Sequence, residues 1–105
     1  MLNLENHQMI HEIKRNSSTV QVLQVTIEEL AELQQISVKA LRSMTNDKTL
    51  RIDGGRIDIV LKEEIADTYI MLEQLKSKIG LTNEELNKII YKKCSRTLGI
   101  LNEKK

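Results

Sequence analysis

The chain has 105 residues, 40% of them hydrophobic and 30% charged, and its 16 Lys and Arg against 15 Asp and Glu give a formal net charge of +1. That length fits one small domain, and the near-neutral balance excludes the basic footprint of a nucleic-acid binder or of a protein held on an anionic membrane. Pro, Phe and Trp are absent and Cys94 is the one cysteine, which excludes an internal disulfide and an aromatic stacking platform for single strands. With no 18-residue apolar run and no signal-peptide pattern in "MLNLENHQMIHEIKR", the expectation is a cytoplasmic protein with no membrane and no nucleic-acid partner.

In chain order, Leu4, Met9, Ile10 and Ile13 predict a short helix within residues 3–15. "NSST" (16–19) supplies N-cap candidates for the next one. Val20, Leu23, Ile27, Leu30, Val38 and Leu41 then recur at steps of three and four, with Gln34 as the polar gap, and predict a helix of about 25 residues. "TNDKTLRIDGG" (45–55) breaks it. Ile57, Leu61, Ile65, Thr68, Leu72, Leu75 and Ile79 repeat the rhythm in a second long helix, which Gly80 caps. "TNEE" (82–85) is a capping box, with Thr82 at the N-cap and Glu85 three residues on, and a third helix runs through Leu86, Ile89, Ile90 and Leu98 until Gly99. The fold class is all-α, a helical bundle of two long helices and shorter flanking ones. The flat apolar face left over predicts a four-helix core completed by dimerisation.

The acids stand out against this pattern. Val25, Glu29, Glu32, Ile36 and Ala40 form a row beside the main apolar stripe of the first long helix, and Val60, Glu64, Asp67 and Met71 form the equivalent row on the second. Each helix therefore offers two carboxylates three residues apart on one face, flanked by apolar residues that predict partial burial. Facing carboxylates at about 4 Å repel by roughly 4 kcal/mol per pair at an effective dielectric of about 20, so protonation or a cation must offset the repulsion. Oxygen-only ligands suit Mg²⁺, with Mn²⁺ as a substitute, rather than Zn²⁺. The Glu-x-x-His step of di-iron bundles is missing, because both three-residue steps end in acid.

"EELAE" (28–32), followed after a helix-breaking stretch by "EEIAD" (63–67), resembles the MazG-like all-α nucleoside triphosphate pyrophosphohydrolases, whose signature is E-E-x-x-E and later E-x-x-D. The likeness covers about residues 20–98 and includes "VKALR" (38–42), "EEIADTYIMLEQL" (63–75) and "YKKCSR" (91–96), and small phage-type or bacterial single-domain members are the nearest in style. It implies one MazG-like domain over 1–105 with its motif-bearing core at about 17–98. It also implies Mg²⁺ coordination by Glu29, Glu32, Glu64 and Asp67, and hydrolysis of a nucleoside triphosphate to monophosphate and pyrophosphate in nucleotide-pool housecleaning. Glu28 is then a candidate base or a group orienting the attacking water, with an exposed Glu as the other reading. Lys93 and Arg96, with Lys92 as a rival, match the family's basic pair, and Lys39 and Arg42 extend from the first acidic row toward the phosphates. The resemblance further implies a homodimer or homotetramer with sites completed near subunit boundaries.

His7 and His11 lie four apart, a spacing that binds zinc on a helix, but no third ligand accompanies them in sequence and they read as surface residues. "DGG" (53–55) is a turn without the Lys-Ser/Thr ending of a phosphate loop, and Cys94 has no adjacent histidine to activate it. The alternative function is a non-catalytic helical interaction module with an acidic surface.

Overall fold

The computed structural model describes residues 2–46, 51–52 and 55–104. Four helices dominate the described residues: α1 (Leu4–Arg15), α2 (Thr19–Asn46), α3 (Ile57–Lys78) and α4 (Asn83–Glu103). Between α2 and α3 a short antiparallel ladder pairs β1 (Arg51–Ile52) with β2 (Gly55–Arg56), Arg51 opposite Arg56 and Ile52 opposite Gly55. All of that ladder but Arg56 falls inside the stretch expected to be a plain helix break; residues 47–50 and 53–54 of that stretch, including most of "DGG", lie outside the described residues. No helix is long and apolar enough to cross a membrane among the described residues.

Local chemistry sets the helix ends. Asn3 caps α1, its side chain accepting from the Asn6 N–H at 2.8 Å. Ser18 and Gln21 bond reciprocally at the start of α2: the Ser18 hydroxyl accepts from the Gln21 N–H at 3.1 Å, and Gln21 Oε1 accepts from the Ser18 N–H at 2.7 Å. "NSST" therefore acts as expected, through Ser18. At the entry to α3, Arg56 donates to both carboxylate oxygens of Asp58, at 3.0 and 3.3 Å, and this pairing holds the Asp58 carboxyl below its ordinary range. The other end of α3 closes on Gly80, whose φ of 72° lets Leu81 N–H reach Lys76 O at 2.9 Å and Gly80 N–H reach Ser77 O at 3.2 Å. These are the two bonds of a Schellman motif, and they satisfy carbonyls that the helix end would leave open. Thr82 then caps α4, accepting from the Glu85 N–H at 3.1 Å.

One boundary differs from expectation. The last helix does not stop at Gly99 but continues to Glu103. Gly99 has neither a positive φ nor a following proline, and a glycine inside a helix costs only about 1 kcal/mol, so the residues after it continue the helix.

The chain forms two compact units, Met1–Leu75 and Lys76–Lys105. In the first, the buried apolar residues are Ile10 from α1, Val22 and Ala40 from α2, and Ile57 and Met71 from α3. Val22 and Ile57 are the most enclosed, each contributing about 1.5–3 kcal/mol through burial. On α2 the inward face runs through Val22, Thr26, Glu29, Leu33, Ile36 and Ala40, whereas the more apolar stripe of Val20, Leu23, Ile27, Leu30, Val38 and Leu41 is exposed. On α3 the inward face likewise takes Glu64, Thr68, Met71 and Gln74, leaving Ile65 and Leu72 outside. The faces that meet thus carry Glu29 and Glu64 and not the most hydrophobic residues. Val25, Glu32, Val60 and Asp67 of the expected acid-bearing rows stay exposed, contrary to the partial burial expected of both carboxylates in each row. The buried hydroxyls are satisfied within their own helices, Thr26 Oγ1 donating to Val22 O at 2.6 Å and Thr68 Oγ1 to Glu64 O at 2.9 Å, so they ask nothing of the facing helix. In the second unit, α4 buries none of its residues; Ile89, Ile90, Leu98 and Leu101 are all exposed.

Gly80 and Gly99 give a paired test of this backbone description, since a Cβ at either position meets nothing within 4 Å. Gly80→Ala should lower stability by about 1 kcal/mol because its φ disfavours a side chain, whereas Gly99→Ala should raise it by up to about 1 kcal/mol. Urea unfolding followed by circular dichroism reads both, and the same sign for the two variants would contradict the assignment.

Candidate metal centre

Helices α2 and α3 bring carboxylates together at the middle of the first unit. Oxygens of Glu29, Glu64 and Asp67 all lie within 4.8 Å of one another. The three-residue step from Glu64 to Asp67 is close to one helical turn, so both carboxylates leave α3 toward α2, where Glu29 meets them. The surroundings grade from dry to wet: Glu64 is only 8% exposed, Glu29 is half-buried and Asp67 is exposed. The trio therefore has a closed floor and an open mouth.

The electrostatics of this floor are unfavourable for charge. Glu29 Oε2 and Glu64 Oε1 are both buried without a hydrogen-bond partner. Two carboxylates cannot hydrogen-bond to each other unless one keeps a proton. The Glu64 carboxyl is pushed up to about 7 from an ordinary 4.5, first because a proton on it can be shared with Glu29, then through burial and the negative charge of Glu29 and Glu32. Orphaned buried oxygens in an all-oxygen set are what a hard divalent cation satisfies, so the residues present fit Mg²⁺ or Mn²⁺ and do not fit a thiophilic metal. Glu29, Glu64 and Asp67 would hold it.

The other expected site residues are placed more loosely. Glu32 is exposed and stands outside the close trio, yet near enough to act on Glu64. Glu28 is exposed. Lys39 and Arg42 are exposed on α2; Lys39 lies seven residues beyond Glu32, two turns or about 10 Å along the same face. Lys92, Lys93 and Arg96 are exposed on α4, in the second unit, as is the free thiol of Cys94. Beside the acids, α1 and α3 enclose an apolar groove of about 490 Å³ with Met9, Ile10, Tyr69 and Ile70 among its walls; it carries no titratable group other than Tyr69.

His7 and His11 are not plain surface residues. Both are half-buried, and α3 brings beside them a carboxylate that the sequence did not reveal, Glu73. Glu73 is more than sixty residues away, and no local motif announces it; the only available signal was its place on a helix that packs against α1. No family model, curated protein or solved structure matches the chain.

The raised carboxyl of Glu64 has a consequence for stability. Between the unfolded value near 4.5 and the folded value of about 7, the folded state holds a proton that the unfolded state has released. This contribution is complete below the lower value and is lost as pH rises through the upper one. Without divalent cation, stability should therefore fall by on the order of 1–3 kcal/mol across that window, and saturating Mg²⁺ should restore it above pH 7. Glu64→Gln should flatten the slope and be the more stable form in chelator above pH 7. Thermal unfolding of both proteins against pH checks this, and an unchanged slope in the variant would contradict the placement of Glu64.

Proposed function

We propose that this chain is an Mg²⁺-dependent nucleotide pyrophosphohydrolase of the MazG-like kind, cleaving a ribo- or deoxyribonucleoside triphosphate between its α and β phosphorus atoms to give monophosphate and pyrophosphate. The convergence of Glu29, Glu64 and Asp67 around orphaned buried oxygens carries the proposal. These are three of the four acids that "EELAE" and "EEIAD" pick out by resemblance; the fourth, Glu32, is exposed and stands outside the trio.

A bound Mg²⁺ supplies positive charge for phosphate oxygens and makes water a better nucleophile at neutral pH. The chain's own residues do the rest. Glu29, Glu64 and Asp67 would hold the cation, with Asp67 at the exposed side where a triphosphate could approach. Glu64, whose carboxyl is pushed up to about 7 beside Glu29, would have to give up its proton to hold a cation, which would tie metal affinity to pH. Glu32 adds negative charge beside Glu64 and strengthens the hold on the cation. Glu28, exposed on α2, accepts a proton from water or orients it. Lys39 and Arg42 offset charge on the polyphosphate.

Oligomerisation belongs to this proposal. The exposed stripe of Val20, Leu23, Ile27, Leu30 and Leu41 on α2 is a poor face to leave in water, and a second copy burying the same stripe gives a four-helix core by two-fold symmetry. The same stripe supports the alternative of a helical interaction module, in which the acids bind no metal and the partner is another protein.

Three measurements decide among these. Asp67→Asn should cut pyrophosphate release from triphosphates by more than about 100-fold while leaving helicity unchanged, because Asp67 is exposed and its loss leaves no cavity. Full activity in that variant, or orthophosphate as the product, would exclude the proposed chemistry; no heat on titration with Mg²⁺ and a non-hydrolysable triphosphate would favour the interaction module. For the assembly, light scattering should give at least twice the 12.1 kDa chain mass, and Ile27→Glu should shift it to the single-chain value. A wild-type monomer would remove the dimer from the account.

A further inference from the structure

A second group of ligand atoms stands apart from the carboxylate trio. Helix α1 carries His7 and His11 one turn apart on one face, with ring centroids 4.2 Å apart and planes inclined by 44°. From α3, Glu73 brings Oε1 to 3.6 Å from His7 Nδ1 and 3.7 Å from His11 Nε2. These separations are too long for hydrogen bonds, and His11 Nε2 is buried with no hydrogen-bond partner. Ligand atoms from all three residues fall within 4.8 Å of one another. A tetrahedral zinc site with bonds of about 2.0–2.1 Å has ligand-to-ligand edges of about 3.4 Å, close to the two His–Glu separations.

We infer that His7, His11 and Glu73 form a binding site for a transition-metal dication of the Zn²⁺ class. Two imidazole nitrogens and one carboxylate are the donors such an ion takes, whereas Mg²⁺ prefers the all-oxygen trio of Glu29, Glu64 and Asp67. Donor chemistry thus sorts two kinds of metal between two places in the same unit. Three protein ligands leave a fourth position for water or an exogenous ligand. The ion also has a mechanical effect. Helix α1 contributes one buried residue, Ile10, and a metal bridging His7 and His11 to Glu73 clasps this lightly anchored helix onto α3. The site does not depend on the proposed pyrophosphohydrolase activity.

The test uses the full chain without a histidine tag, stripped with chelator and titrated with Co²⁺ as a coloured stand-in for Zn²⁺. One equivalent should produce the intense visible absorption of four-coordinate Co²⁺, displaced by Zn²⁺ and untouched by excess Mg²⁺. Asp67→Asn should leave the band intact, whereas His11→Ala should abolish it. His7→Gln and Glu73→Gln should each weaken binding by more than the roughly 10–100-fold that loss of a supporting partner costs. Zn²⁺ should raise the thermal midpoint of the wild-type chain and not that of His11→Ala; if that variant is unfolded by circular dichroism, His7→Gln supplies the comparison. No Co²⁺ or Zn²⁺ binding by the wild-type chain, leaving only a His–Glu ion pair, would overturn the inference. So would binding that survives the histidine changes, or that disappears with Asp67→Asn.

Discussion

Glu64, only 8% exposed and set beside Glu29 with its Oε1 buried and unpartnered, is the constraint around which the first unit is organised. Taking a carboxylate out of water costs several kcal/mol even after relaxation, and a neighbouring negative charge adds to that. A small domain has about 5–15 kcal/mol of net stability in total. Glu64 is therefore expensive as a packing residue, and a Leu or Met at its position would pack without the penalty. The packing of α2 on α3 nevertheless turns Glu64 and Glu29 inward and leaves Ile27, Leu30, Ile65 and Leu72 outside. A cation shared among Glu29, Glu64 and Asp67, as proposed, would remove the penalty.

The polar character of the interior extends beyond the acids. Among the described residues, Thr26, Thr68 and Gln74 are buried with Glu64. The two threonines turn their hydroxyls back onto their own helices, so their methyl groups can face across the gap without leaving a polar atom unpaired. Gln74 donates to Met71 Sδ at 3.6 Å, a weak bond. An interior assembled this way holds its helices with modest force. Additional clasps would matter in such a unit: a second copy on the exposed stripe of α2, and an ion between α1 and α3.

Much of this was legible before any coordinates, for identifiable reasons. Gly80, Thr82 with Glu85, and Ser18 mark helix ends through short-range chemistry that a sequence states directly, and all three do so in the structure. The acid rows were legible because helical periodicity places Glu64 and Asp67 on one face whatever they pack against. Which face turns inward was not. Apolar content favours the Val20–Leu41 stripe on α2, whereas the single chain buries the row through Val22, Glu29 and Ile36, because periodicity reports how faces differ and not which partner each one meets. Gly99 misled because glycine is a helix terminator only where a positive φ is taken up, and here it is not. The two-residue ladder of Arg51–Ile52 with Gly55–Arg56 is too short to leave an alternating pattern. Glu73 was invisible for a different reason: a ligand contributed across helices has no sequence spacing to betray it.

The claim at the centre is that carboxylates from α2 and α3 converge on one divalent ion. Crystals grown with Mn²⁺ and measured at an energy where manganese scatters anomalously report this without reference to any activity. The account predicts an anomalous peak bonded to oxygens of Glu29, Glu64 and Asp67, at the separations that oxygen ligands of a hard dication require. A map with no peak there, and with Glu64 turned away from Asp67 and Glu29, would contradict it.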